Sequence, residues 1–369
     1  MARAHSRPDA MGGRRRKSDT CYSRRTGTTA LMRRFTAPAL ILSSSAALTA
    51  QAVRVDVRNA VTNLPVPYST IALFPGDAVR FTNDSGAFSF AELSSGPYRL
   101  VVRSIGYVPY DTTITVAAQP IAVHVGLQEL AIELPPVTVV GRTCLNPGPP
   151  IRDSEPQLAA IFDQLRENAA RYRLLSDQYP FLYALERRVW DDPAPKHGDT
   201  LVVDTLELRS DVHRPYKPGN LVSMQPGTRG RMERILRLPT VIDLADPAFH
   251  TAHCFTFAGV DTIDGSQTWR VDFYAAERLH APDVAGSAWL DADTYQLRQL
   301  TFRLTRPERV LPSMQDLEAT VVFGDLLPSV SVPVHIASKS EVKGRRPLVG
   351  HETQRLLRVN FLKTPPGRP

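Results

Sequence analysis

The chain has 369 residues, 43% hydrophobic and 22% charged, with 44 Lys/Arg against 37 Asp/Glu. Residues 53–369 number 317, more than one ordinary core accommodates and comfortable for two. The formal charge of +7 is unevenly placed: residues 1–52 hold ten Lys/Arg but only Asp9 and Asp19, which leaves 34 bases and 35 acids in the remainder and removes the case for nucleic acid as a partner.

In chain order, the first element is a leader. Met32 is followed by Arg33 and Arg34, an apolar stretch from Phe35 to Leu48, and Ala50-Gln51-Ala52. A positive start, a short apolar run and an A-x-A ending predict a cleaved signal peptide, with residues 1–31 as an upstream extension and Met32 as the true start. The run falls short of the roughly 20 apolar residues of a membrane span, and no later stretch supplies a transmembrane segment. The predicted location is therefore periplasmic or outer-membrane associated. Export bears on the pentad His250-Thr251-Ala252-His253-Cys254. Cleavage removes Cys21, and the two cysteines left in an oxidising compartment predict a Cys144–Cys254 disulfide. Two alternatives stand beside it. One is a zinc site of His250, His253 and Cys254 with a fourth ligand, and the other is a Cys-His nucleophile pair with a free thiol.

From residue 53 the pattern is strands. Val53, Val55 and Val57 alternate with Arg54, Asp56 and Arg58, and six more short apolar runs follow, separated by turn residues. Thr82-Asn83-Asp84-Ser85-Gly86 predicts a hairpin turn, and Gly96-Pro97 turns the chain again. Seven strands at this spacing predict a β-sandwich over residues 53–141. Pro65, the run Thr82 to Phe88, Gly96 to Leu100 and Gly106-Tyr107 resemble the carboxypeptidase regulatory-like domain, a transthyretin-like sandwich. The resemblance implies a structural or interaction module and no peptidase activity.

A Pro-rich linker is predicted at 142–156, and an α+β domain over 157–369. Ser154 and Gln157 have capping-box spacing, with Pro156 inside the first turn. Leu158, Ile161, Phe162, Leu165, Ala169, Tyr172 and Leu175 give one apolar helix face that ends before Pro180. Long alternating runs follow. The predicted fold class is mainly β: a seven-stranded sandwich, then a curved antiparallel sheet packed on a long helix. The hairpin Gly286-to-Leu304, with Asp291, Asp293 and Thr294 at its turn, resembles the half-barrel of LolA-like periplasmic lipoprotein carriers. The whole arrangement resembles exported bacterial proteins of unassigned function that share the sandwich, a "His-Cys-Phe" segment and a cysteine pair.

Catalytic motifs are absent: no His-Glu-x-x-His, no Gly-x-Ser-x-Gly and no phosphate loop, so no cofactor is implied. Asp291 and Asp293 read as turn acceptors, and Trp190, Trp269 and Trp289 as core residues. The reading that results is a non-catalytic envelope protein. Leu300 and Phe302 would line a concave surface for a lipid, another apolar ligand or an envelope protein partner. A carbohydrate-binding alternative rests on Tyr107, Tyr110 and Phe74 as an aromatic platform on the sandwich, and a zinc enzyme on the pentad is the third.

Overall fold

The computed structural model describes residues 51–365, apart from 77, 133–142, 193–201, 214, 227–231, 238 and 345–347. The leader and its signal-peptide reading, and residues 133–142 at the sandwich–linker boundary, lie outside the described residues.

The first strand, β1 (Val53–Asn59), shows the logic of the sandwich. Val53, Val55 and Val57 are fully buried while Arg54 and Arg58 are exposed, the outcome of period-two alternation on a half-wet sheet. Each such valine contributes about 1.5–3 kcal/mol by burial. β1 lies between β4 (Ala87–Phe90), antiparallel, and β7 (Ile121–Leu127), parallel. The facing sheet runs β3 (Arg80–Phe81), β2 (Thr70–Phe74), β5 (Gly96–Arg103), β6 (Tyr110–Val116). The predicted turn at 82–86 forms, but it does not close a hairpin: β3 pairs with β2 and β4 with β1, so the chain crosses between sheets there. Asn83 Oδ1 accepts from the amides of Ser85 and Ala87, and Gly86 takes a φ of 74° at a place where a β-carbon would run into Val57 O. Only glycine tolerates that combination.

The long helix α1 spans Pro156–Gln178. Pro156 starts it as expected, but the capping box does not form: Glu155 is the N-cap, without a side-chain bond. A nine-stranded antiparallel sheet follows. Its order is β12 (His253–Ile263), β13 (Ser266–Ala275), β14 (Val284–Asp291), β15 (Leu297–Leu304), β16 (Met314–Leu327), β17 (Val330–Val342), β18 (Leu348–Phe361), β8 (Phe181–Asp192), β9 (Val202–Arg209). A separate ribbon pairs β10 (Val222–Pro226) with β11 (Met232–Leu236). The short α2 (Pro247–His250) leads into β12, and α3 (Pro307–Val310) joins β15 to β16.

The apolar face of α1 lies on this sheet, with Phe162 packed on Phe255 (4.6 Å between ring centroids). Its other side meets the sandwich. Tyr68, Phe81 and Ile105 of the sandwich belong to the same buried cluster as Ile161, Leu165 and Leu300. Hydrogen bonds reinforce the junction: Gly106 N donates to Gln164 Oε1 (2.9 Å) and Tyr295 Oη to Leu130 O (2.7 Å). Arg171, fully buried, donates to Tyr68 O and to Ser329 O and lies over the Phe81 ring. Burial pulls its guanidinium down to about 10.

Candidate functional site: a groove beside the central helix

The pentad contains one half of a disulfide. Cys254 is bonded to Cys144, with Cα atoms 5.5 Å apart. Along β12 His253 points into the core and Cys254 away from it, so strand alternation separates the imidazole from the sulfur. His253 Nδ1 lies 2.8 Å from Phe249 O, and Nε2 lies 3.0 Å from Val284 O and 3.6 Å from Asp283 Oδ1. Burial lowers its pKa, against the opposing pull of Asp283 and the two carbonyls. His250 Nε2 lies 2.6 Å from Leu244 O, and its pKa is likewise lowered by burial. Each donor of the proposed zinc site is thus engaged elsewhere, and among the described residues no His/Cys/Asp/Glu cluster has the arrangement of a metal site. Asp291 acts as the turn acceptor, receiving Thr294 N (2.8 Å), Thr294 Oγ1 (2.9 Å) and Asp293 N (3.2 Å).

Leu300 and Phe302 lie in the core, each 1% exposed. The concave face expected to receive a ligand is filled by α1. A small pocket of about 10 Å³, room for one water, lies between Tyr172, Phe181, Leu356 and Val359. Tyr107 and Tyr110 are half-buried against the sandwich core, and Phe74 ends β2 on the surface. Among the described residues no ring contact joins these three into a platform.

Tyr107 nevertheless borders the space that is available. A groove of about 770 Å³ runs between the Ser104–Pro109 turn of the sandwich and the polar stripe of α1. Tyr107, Val108, Pro109, Leu130, Ala160 and Ala170 supply apolar surface. Four guanidinium groups, Arg103, Arg152, Arg166 and Arg173, face two carboxylates, Asp163 and Glu167. Asp163 is engaged by Arg152 and by Arg166 (3.6 Å). Arg173 approaches His213 Nε2 at 3.5 Å; the Arg103 guanidinium has no hydrogen bond or salt bridge among the described residues, its charge acts on Asp111, and its carbonyl accepts from Thr70 Oγ1. Ser104 Oγ, on the groove wall, is buried with no hydrogen-bond partner. The sequence reading found Tyr107 but missed Arg103, Ser104 and Arg173. The available signal was "RSIGY", an Arg-Ser pair directly before the Gly-Tyr motif, yet nothing local shows that a helix sixty residues later runs past it.

A shallower depression of about 280 Å³ lies on the sheet face turned away from α1. The register Trp190–His351–Lys339–Glu318 puts these four side chains together, with Trp190 stacked on His351 (5.1 Å, 10° between planes). Trp269 and Trp289 are buried as expected, but Trp190 is half-exposed.

Comparison with solved structures gives low similarity. A LolA superfamily protein from Nitrosomonas europaea is 14% identical, covering 55% of this chain and 94% of its own, with a TM-score of 0.28. A DUF1329 family protein from Desulfovibrio piger is 7% identical (55% and 93% covered, TM-score 0.32). A Vibrio parahaemolyticus domain described as an outer membrane lipoprotein-sorting protein is 11% identical (55% and 93%, TM-score 0.31). No curated protein sequence matches the chain. The family model that does match coincides with the Gly86, Gly96 and Gly106-Tyr107 motifs: residues 52–128 form a carboxypeptidase regulatory-like domain.

Proposed function

We propose that this chain is a non-catalytic exported protein of the cell envelope that holds a ligand in the groove between its sandwich and α1. One observation carries the reading: Leu300 and Phe302 are buried in the core, whereas the groove offers about 770 Å³ with apolar and cationic walls. The leader pattern of Met32 to Ala52 supports export, and the engaged state of His250, His253 and Cys254 supports the absence of a zinc enzyme. The test is the intact mass of protein taken from the envelope fraction of an expressing bacterium, native and denatured. A denatured chain starting at residue 53, with extra native mass that organic solvent removes, is the expected result. A chain retaining residues 1–52, or a bare native mass, counts against export or against ligand capture respectively.

The Trp190–His351 stack favours a second reading, binding of a polysaccharide through the sheet. Retention on a cell-wall polysaccharide column that Trp190→Ala abolishes would support it, and passage of the unaltered protein through such columns would end it.

A further inference from the structure

The groove has a chemical bias that narrows its occupant. Of its six charged side chains four are arginines, and the two carboxylates do not balance them. Asp163 is taken by Arg152 and Arg166. Glu167 lines the same groove and acts electrostatically on Arg171, while Arg103 and Arg173 form no salt bridge among the described residues and Arg103 acts on Asp111 only through its field. Arginine offers paired donors that match the planar oxygens of a carboxylate or phosphate. Ser104 supplies the second, independent sign. It is 4% exposed, it lines the same groove, and its hydroxyl has no partner. A buried hydroxyl without a bond is costly, and an acceptor arriving in the groove relieves that cost. Beside these groups lie Val108, 42% exposed, with Pro109 and Leu130.

We propose that the groove between the Ser104–Pro109 turn and α1 is a binding site for an amphiphilic organic anion. Its phosphate or carboxylate head is held by Arg103, Arg173 and Ser104, and its apolar body lies along Tyr107, Val108 and Leu130. The proposal rests on the ligand-binding reading of this groove and specifies the class of ligand. Arg103 and Arg173 are exposed at the rim and steer and hold the head, while Ser104 at the wall fixes its position.

Calorimetric titration of the full mature chain tests it, with dodecyl phosphate, dodecanoate, inorganic phosphate and the uncharged dodecyl maltoside, all below micelle-forming concentrations. The expected result is saturable binding of dodecyl phosphate or dodecanoate. Which of the two binds more tightly identifies the head group. Inorganic phosphate should bind far more weakly, and Arg103→Gln and Arg173→Gln should each weaken the amphiphile roughly tenfold or more. Ser104→Ala should weaken it by a smaller factor, with circular dichroism unchanged in all three variants. Equal binding of dodecyl maltoside, or affinities that ignore both arginine substitutions, overturns the anion assignment while leaving a ligand-binding groove intact. Inorganic phosphate binding as tightly as the amphiphile overturns the role of the apolar wall. Failure of all four probes overturns the proposal, and the native envelope mass described above then decides separately whether the groove binds anything.

Discussion

Removing the Cys144–Cys254 bridge is the perturbation whose size follows most directly from the structure. The bond joins residues 110 apart, so it withholds from the unfolded chain the freedom of a loop of that length, about 4.7 kcal/mol at 25 °C in the chain-entropy account. It also holds the segment after Cys144 against the sheet, where Gly148 N donates to His253 O (3.0 Å) and Glu277 N to Cys144 O (2.9 Å). A Cys144→Ala/Cys254→Ala double variant keeps the folded contacts nearly intact, because an alanine methyl occupies most of each cysteine's space. Urea unfolding can be followed by tryptophan emission, since Trp269 and Trp289 are buried and report loss of the sheet. With a urea slope of about 3 kcal/mol/M, the midpoint should fall by about 1.5 M. Wild-type protein unfolded in excess reductant should give the same midpoint as the double variant. A midpoint displaced by less than about 0.3 M would refute the loop-entropy reasoning, because a slope in the ordinary range could not hide the loss.

Arg171→Ala should cost about 2–5 kcal/mol, from two lost carbonyl hydrogen bonds and the void left between Phe81 and α1. Differential scanning calorimetry should show one transition becoming two as the sandwich uncouples from the sheet, and a single transition at an unchanged temperature argues against the clamp. Gly286→Ala drives a methyl into Thr301 O across the β14–β15 ladder and to within 2.8 Å of Phe273 Cζ, and should cost about 3 kcal/mol or prevent soluble expression. His250 and His253 have pKa values pushed below the ordinary histidine value by burial, so the unfolded chain binds protons more readily than the fold does. Their contribution is fully present above about pH 6.5 and is lost as pH falls towards their lowered folded values, so urea midpoints should drop between pH 7.5 and 5. His250→Gln should reduce that drop, and an identical pH slope in the variant would remove His250 from the account.

Much of the fold was legible in local pattern. Alternation in Val53–Asn59 and the helical repeat from Leu158 to Leu175 each specify one buried face, and the structure buries those faces. The turn at Asn83–Gly86 was legible as a turn but not as a crossing, because its local hydrogen bonds are the same whether the flanking strands pair with each other or with different partners. The capping box failed for a related reason. Ser154 and Gln157 have the spacing, but Pro156 in the first turn moved the helix start to Glu155 and left Ser154 outside it. Leu300 and Phe302 were identified as inward-facing, and they are. What alternation does not reveal is whether the inward face meets a cavity or a helix, since both ask for the same apolar residues. The groove was the least legible part, because its walls come from residues near 104 and near 167 and neither segment signals the other.

The continuity of Tyr68, Phe81 and Ile105 with the core beneath α1 has a consequence for the carboxypeptidase regulatory-like segment taken alone. Cut out at 52–128, it would present those three side chains to water as an unsheltered greasy patch, on the side where Arg171 now sits. The segment recognisable by its sequence is therefore smaller than the part that can stand alone. In this chain one outer surface of the module serves as a wall of a larger building, so grafting it elsewhere as a self-sufficient cassette would first require that wall to be repainted with polar residues.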